Sequence, residues 1–226
     1  MTAAMGTVLL EARDLCLSYR NGPLTVTPID HLNLTLEVGE LVAVVGRSGS
    51  GKTTLLSIFG GWERPQEGDI DWQGRICDPG ELRWDQVATV PQVPGLLEEL
   101  TVRENIALPL LVGAGASWNE ALYGERLNAL LERLNLLELA DRGPKETSLG
   151  EQQRCSIARA LMCTPELILA DEPTAHQDAH MLSRVVDALA AAATEGACCV
   201  VATHSPEVIA RASRVIDMGN SASSGN

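Results

Sequence analysis

The chain has 226 residues, enough for one large α/β domain with a sizeable core. Its net charge of −13 and isoelectric point of about 4.7 disfavour a general nucleic-acid-binding protein, because an acidic chain repels phosphate backbones. No apolar run approaches the roughly 18 residues of a membrane span, and the N-terminus lacks the basic start and long apolar stretch of a signal peptide. The six cysteines are scattered without metal-ligand spacing, which favours a reducing cytosol.

The first third of the chain alternates between two kinds of strand. "VLLEARDLCLSY" and "LNLTLEV" alternate apolar and polar residues, which predicts antiparallel strands with one buried face. "ELVAVV" is a continuous apolar run, typical of a strand buried on both faces. "GDIDWQGRICD" predicts a hairpin.

The middle of the chain predicts helices. Thr101 with Glu104 and Ser117 with Glu120 each form the pattern of a capping box, so a helix should begin at each. The second helix should present one apolar face, made by Leu127, Leu130, Leu131 and Leu134.

The last third returns to strands and helices in alternation. "ELILAD" and "ACCVVAT" are two further buried strands, and the alanine-rich run between them, about 179–195, predicts a helix. The tail "GNSASSGN" predicts disorder.

A phosphate-binding loop follows "ELVAVV". Residues 46–53 fit G-x-x-x-x-G-K-[ST] between a strand and a helix, so backbone N–H groups and the helix N-terminus should face a phosphate. Lys52 would reach the β- and γ-phosphates, and the Thr53 hydroxyl would bind Mg²⁺. The expected nucleotide-binding set is Gly46, Arg47, Ser48, Gly49, Ser50, Gly51, Lys52, Thr53 and Thr54.

Two carboxylates end the strand in "LILADEP". Asp171 could hold Mg²⁺ through water, and Glu172 could polarise an attacking water. Alone, such a pair is usually a solvated corner of a sheet. Together with the phosphate loop it favours an ATPase.

At this point nearly all of the chain, from about residue 10 to 217, resembles the ATP-binding-cassette ATPases, most closely the lipoprotein-releasing, macrolide-exporting and cell-division group. The resemblance implies that Gln92 in "ATVPQ" senses the γ-phosphate through Mg²⁺ and the attacking water. It implies that His204 in "VATHS" reaches the γ-phosphate. It also places Tyr19 in "LSYRNG" against adenine. The segment that ends in "AHQD", residues 175–178, corresponds to the D-loop of the family, with Asp178 at its usual acidic position.

Each of these auxiliary residues has a simpler explanation. Tyr19 could be a surface aromatic, Gln92 a solvated loop amide, and His204 the neighbour of a helix cap at Ser205. The order along the chain favours the functional roles over these explanations. It is the order of the family: first the phosphate loop, then Gln92, the signature motif at residues 147–154, the Asp171–Glu172 pair and finally His204.

The family signature L-S-G-G-Q-x-Q-R aligns without a gap to residues 147–154, "TSLGEQQR". Thr147, Leu149 and Glu151 depart from the pattern, whereas Ser148 and Gly150 keep it. Ser148 and Glu151 also predict a capping box that starts a helix running to about residue 163. In the family this helix end faces ATP held by a second subunit, so Ser148 and Gly150 join the expected nucleotide-binding residues.

The D-loop also departs from the family. In "AHQD", residues 175–178, His176 and Gln177 are large and polar where the family usually has Asn or Ala and then leucine, at a position that should face the partner chain. This bears on how tightly, or with which partner, the chain dimerises.

The resemblance implies an α/β P-loop core with a mostly parallel sheet, an antiparallel β subdomain and an inserted helical subdomain. We expect one domain over residues 1–218, an insertion over roughly 93–147 that touches a membrane subunit, and a disordered tail over 219–226.

The predicted function is a Mg²⁺-dependent ATPase subunit that drives a separate membrane-spanning permease from the cytoplasmic face of the membrane. Its partners would be that permease and a second cassette, in a homodimer or heterodimer, with no nucleic acid. The catalytic residues would be Glu172, His204 and Gln92, and the metal ligands Thr53, Gln92 and Asp171. Two alternatives are an ATP-gated regulatory scaffold with weak hydrolysis and a soluble, non-transport cassette ATPase. The sequence does not indicate the substrate or the direction of transport.

Overall fold

A computed structural model describes residues 4–113 and 120–219. The antiparallel sheet has the order β2-β1-β4-β5, formed by Val8–Asn21, Leu24–Glu37, Glu67–Trp72 and Arg75–Ile76 as β1, β2, β4 and β5. The β1–β2 pair and the β4–β5 hairpin confirm the antiparallel strands and the hairpin predicted from alternation.

The second sheet is parallel, in the order β6-β7-β8-β3-β9. Its strands are Leu41–Val45 (β3), Val87–Val90 (β6), Leu167–Asp171 (β7), Cys198–Ala202 (β8) and Arg214–Asp217 (β9). Every residue of β7 and β8 is buried, as expected for strands covered on both faces. The carboxyl ends of β3, β7 and β8 therefore meet at one edge of the sheet.

Six α-helices occur in the described part of the chain: Lys52–Phe59 (α1), Val102–Gly113 (α2), Glu120–Arg133 (α3), Leu149–Met162 (α4), Ala179–Thr194 (α5) and Pro206–Arg211 (α6). Short 3-10 helices lie at Pro79–Glu81, Leu137–Leu139 and Pro144–Glu146. None of the helices described is long and apolar enough to cross a membrane.

Two apolar cores hold these layers together. One packs α1 between the two sheets and includes the fully buried Phe59. The other packs the helices α2 to α5 against the opposite face of the parallel sheet and includes the four predicted leucines of the middle segment, Leu127, Leu130, Leu131 and Leu134. This arrangement confirms the predicted α/β class with its antiparallel and helical parts.

The capping box predicted at the start of α2 is present in the structure. Thr101 and Glu104 form the predicted capping box, with the Thr101 N–H donating to Glu104 Oε2 at 2.8 Å. Ser117 lies outside the described residues, as does the predicted disordered tail from residue 220 onward. Gly219 is described, and its N–H donates to Asp217 Oδ1 at 2.8 Å.

Candidate active site

The phosphate-binding loop connects β3 to α1. Gly51 caps α1 with φ 93°, and a Cβ there would lie 2.3 Å from the Pro28 carbonyl oxygen, so only glycine fits. Lys52 is only 8% exposed and its Nζ donates to the carbonyl oxygens of Gly46 at 2.7 Å and Arg47 at 3.3 Å. Ser50 Oγ is buried without a hydrogen-bond partner among the described residues, so the loop contains an unsatisfied polar atom suited to a ligand.

The two carboxylates lie where β7 ends, beside this loop. Thr53 Oγ1 donates to Asp171 Oδ2 at 2.7 Å, which joins the start of α1 to the end of β7. A hydroxyl and a carboxylate are the oxygen ligands that Mg²⁺ takes, so the residues present suit that ion.

Glu172, the next residue, has φ 45°, a conformation that costs a non-glycine residue roughly 1–2 kcal/mol. Its N–H donates to the Ala202 carbonyl at 2.9 Å, which fixes this turn against β8. A strained carboxylate in a cleft is a candidate for a functional group.

His204 follows β8 and completes the group. Its Nε2 lies 3.3 Å from Lys52 Nζ and 3.6 Å from Glu172 Oε1. Since the Lys52 ammonium has only donors, His204 Nε2 can form a hydrogen bond with it only as the acceptor. The imidazole is largely exposed, with 60% of its side chain accessible, so it can reach a group bound in the cleft.

These side chains line one cleft of about 600 Å³. Gln92 and Tyr19, predicted only from the family order, also line it. Tyr19 stands at the rim, 42% exposed, and its hydroxyl donates to the Glu63 carboxylate. Partial burial and this bond raise the pKa of the Tyr19 phenol above its usual value. The structure thus brings together Tyr19, Ser48, Gly49, Ser50, Gly51, Lys52, Thr53, Thr54, Gln92, Asp171, Glu172 and His204, while Gly46 and Arg47 line the adjoining hollow with His204.

Ser148 and Gly150 do not line this cleft. Ser148 caps α4, with its N–H and hydroxyl donating to Glu151 Oε2 at 2.7 and 2.9 Å, so the predicted capping box is present. Leu149 is the first residue of α4, is 45% exposed and has no positive φ. Its backbone therefore does not require the glycine of the family.

Gly150, by contrast, has no room for a side chain. A Cβ there would lie 2.7 Å from the His176 carbonyl oxygen, too close for any residue other than glycine without a backbone shift. The retained glycine of the signature is thus the sterically required one, and the replaced glycine lies in an open position.

Gln177 of the D-loop is engaged within its own chain. Its Nε2 donates to the Gly150 carbonyl at 2.9 Å, and its Oε1 accepts from Arg154 Nη1 at 2.8 Å. The buried Arg154 also donates through Nε to the Leu134 carbonyl at 2.9 Å. Because these groups come from three separate segments, Gln177 connects the D-loop to the start of α4. His176 remains exposed and has φ 61°.

Several residues of the site belong to no sequence motif and were not predicted. Val26 and Pro28 of β2 and Ala175 line the cleft, and Glu63 holds the ring of Tyr19. The Gln177–Arg154 bond joins positions 23 apart. A glycine such as Gly51 within the phosphate-binding loop indicates a close backbone neighbour, but nothing in the sequence identifies that neighbour as Pro28.

Residues 29–175 match the ABC transporter family. The lipoprotein-releasing system ATP-binding protein LolD of Chromohalobacter salexigens is 37% identical over 220 residues, covering 94% of this chain and 92% of LolD. The macrolide export ATP-binding/permease protein MacB of Rhodopseudomonas palustris is 40% identical over 223 residues, covering 96% of this chain and 33% of MacB. The chain thus spans only about a third of the macrolide-export protein.

Solved structures give the same result. The dimeric, post-hydrolysis structure of the ATP-binding cassette MJ0796 with ADP and Pi superposes with a TM-score of 0.84 at 29% identity, covering 92% of this chain and 94% of that one. A second dimeric structure of MJ0796, described as a bacterial ABC transporter cassette, gives a TM-score of 0.85 at 28% identity, covering 93% and 95% of the two chains. With the phosphate-binding loop, the carboxylate pair and the histidine on one cleft, these matches show that the chain belongs to the ABC transporter family and is an ATP-binding cassette of that family.

Proposed function

We propose that this cassette binds and hydrolyses Mg²⁺·ATP and drives a membrane-spanning permease from the cytoplasmic face of the membrane, paired with a second cassette. The observation that carries the proposal is the junction of α1 with β7. There the buried Lys52 ammonium, the Thr53–Asp171 hydrogen bond and Glu172 converge on one cleft.

The reaction proposed is in-line attack of water on the γ-phosphorus. A bond forms between the water oxygen and phosphorus, the bond to the β,γ-bridging oxygen breaks, and ADP and phosphate leave. Glu172 orients the water and receives its proton, Lys52 offsets charge on the phosphate oxygens, and His204 and Gln92 contact the γ-phosphate and the attacking water. Thr53, Asp171 and Gln92 would hold Mg²⁺, which would supply further positive charge at those oxygens.

Nucleotide affinity tests the phosphate-binding part. Lys52→Ala should weaken ATP binding, because it removes the buried cation of the cleft. The chain has one other lysine, Lys145, an exposed residue whose Nζ lies 2.7 Å from Glu98 Oε2, so Lys145→Ala is a matched control. Calorimetry should show a large loss of affinity only for Lys52→Ala. Equal affinities in the two variants would reject the proposed phosphate site.

A groove beside the helical insertion is the observation that supports a permease partner in our proposal. It has a volume of about 560 Å³, and its walls come from the segments around β6 and from α2 and α4. Trp62 and Trp84 line it and are 75% and 45% exposed, unusually open for such large apolar side chains. MacB carries a permease and an ATP-binding function in one protein, according to its name, and this chain matches only a third of it. We therefore assign the groove to an apolar segment of the membrane-spanning subunit.

Co-purification tests this contact. The cassette is expressed with the permease encoded nearby, and the detergent-solubilised complex is purified. Trp62→Glu should reduce recovery of the permease, because it places a charge in the apolar groove. Val215→Glu on β9, 47% exposed at the opposite edge of the parallel sheet, is the control and should leave recovery unchanged. Undiminished recovery with Trp62→Glu would remove the groove from the contact, and recovery of ribosomal proteins instead would favour the non-transport alternative.

A further inference from the structure

A cluster of ligand-type side chains lies on β1 and β2, outside the nucleotide cleft. One donor atom each from Cys16, Asp30 and His31 lies within 4.8 Å of the other two. Cys16 is half-buried, and Asp30 and His31 are exposed. The spacing of the cysteines along the sequence gives no sign of this cluster, because two separate strands assemble it.

Two consecutive β-bulges create the arrangement. Between Ala12↔Leu34 and Leu15↔Leu32, β1 advances one residue more than β2. Between Leu15↔Leu32 and Leu17↔Ile29, β2 advances the extra residue instead. Asp14 and His31, one in each irregular stretch, have φ 53° and φ 47°. Bulges interrupt the alternation of side chains along a strand, so the adjacent Asp30 and His31 can both approach Cys16.

The side chains are held in this arrangement by polar contacts. The His31 backbone N–H donates to Cys16 Sγ at 3.3 Å, and His31 Nδ1 lies 2.8 Å from Asp14 Oδ1. Three acidic groups, Asp14, Asp30 and Glu67, act on the charge of the His31 ring. The cluster therefore combines a thiol, an imidazole and carboxylates in a negative environment that attracts cations.

We propose that Cys16, Asp30 and His31 bind one Zn²⁺ ion, with water in the fourth position. Thiolate, imidazole and carboxylate are the ligands that zinc takes. At zinc–ligand distances of about 2.0–2.3 Å, donor atoms in a tetrahedral site are roughly 3.3–3.8 Å apart. The three donor atoms must therefore approach one another by about 1.5 Å at most, which rotation of the exposed Asp30 and His31 side chains can supply. Asp14 would orient the imidazole, as outer carboxylates do in many zinc sites.

Such a site would cross-link the wall of the nucleotide cleft. From Cys16, β1 continues to Tyr19, and from Asp30, β2 leads back to Pro28, and both Tyr19 and Pro28 line the cleft. A zinc ion would fix the register of the two strands at their bulges. The proposal does not depend on ATP hydrolysis, since no residue of the cluster lines the cleft.

Metal titrations of the purified full-length chain, without nucleotide, test the site. Co²⁺, a spectroscopic substitute for zinc, should bind at one equivalent and give a thiolate-to-cobalt charge-transfer band that Zn²⁺ removes. Cys16→Ser should abolish the band. His31→Asn, which tolerates the same positive φ, should weaken Zn²⁺ binding more than Asp14→Asn, for which a roughly 10–100-fold loss is expected. Cys77→Ser, at another half-buried cysteine of the chain, is the control and should keep the band and the affinity.

Thermal melts give a second measurement. Zn²⁺ should raise the melting temperature of the wild type and of Cys77→Ser, but not of Cys16→Ser. Absence of a thiolate band in the wild type would overturn the proposal. So would a band that persists in Cys16→Ser, because the ion would then occupy another cysteine.

Discussion

The nucleotide cleft and the start of α4 differ in how completely they keep the family pattern. In the cleft, each expected polar group is present, and the key groups contact one another, as in Thr53–Asp171 and Lys52–His204. At the start of α4, the capping box and Gly150 remain, but Leu149 places a bulky, 45% exposed side chain where the family has glycine. The fold tolerates this change because Leu149 has helical geometry and open space, whereas Gly150 contacts the D-loop backbone.

The difference indicates a division of roles between the two regions. We infer that the cleft acts on the ATP that this chain binds and that the start of α4, as the family resemblance implies, acts on ATP bound by a partner cassette. A competent cleft with a bulky signature would let the chain hydrolyse its own ATP well when a partner supplies an intact signature. The chain would itself supply only a weak signature to the ATP of its partner. A partner with an intact signature would then complete this chain's site, which suits a heterodimer.

The largest expected effect comes from the cleft. Glu172→Gln should lower ATP turnover by roughly 10²–10⁴-fold, since an amide cannot accept the proton of the attacking water. ATP binding should persist and trap a closed dimer, detectable by size-exclusion chromatography with ATP. Glu195→Gln, at an exposed residue after α5, is the control. Unchanged turnover in Glu172→Gln would remove this carboxylate from the catalytic role.

The cleft was also the most predictable region from sequence, for a physical reason. The phosphate loop and the carboxylate pair are contiguous motifs, and parallel strands bring their carboxyl ends to the same edge. The Gln177–Arg154–Leu134 connection was not predictable, because its three members belong to separate segments without periodicity. The same holds for Tyr19 with Glu63 and for Cys16 with His31, which depends on two bulges. The bonds of Gln177 within its own chain were likewise not predictable, because the family resemblance implies only that His176 and Gln177 face a partner.

A stability measurement sharpens the contrast between the two signature positions. Gly150→Ala should lower the free energy of unfolding by about 1–3 kcal/mol, because its Cβ would lie 2.7 Å from the His176 carbonyl oxygen. Gly143→Ala is the matched control, since a Cβ there would have its nearest neighbour at 3.7 Å, the end of the flexible Glu146 side chain. Urea denaturation of both variants gives the comparison. An equal, small loss would mean that the D-loop yields easily to a side chain.

Leu149 should behave in the opposite way. Leu149→Gly should cost up to about 1 kcal/mol of stability, because glycine is a poor helix former. ATP turnover of the chain alone should nevertheless rise. The rise should be smaller than the roughly 10²–10³-fold by which removal of an entire preorganised hydrogen-bond donor lowers kcat. Leu149→Ala should give part of the rise if bulk is the cause. A fall in turnover for both variants would show that Leu149 contributes favourably to the active dimer.

Complementation between two variants of this chain shows directly whether Leu149 limits the signature. A Lys52→Ala/Leu149→Gly chain has a disabled cleft but an unobstructed signature. It is added in excess to the wild-type chain, so that most wild-type chains pair with it. Turnover per wild-type chain should rise several-fold above that in the same mixture with Lys52→Ala alone, because the wild-type cleft then meets an unobstructed signature. Equal turnover in the two mixtures would show that Leu149 does not limit the signature and would contradict the division of roles between cleft and signature.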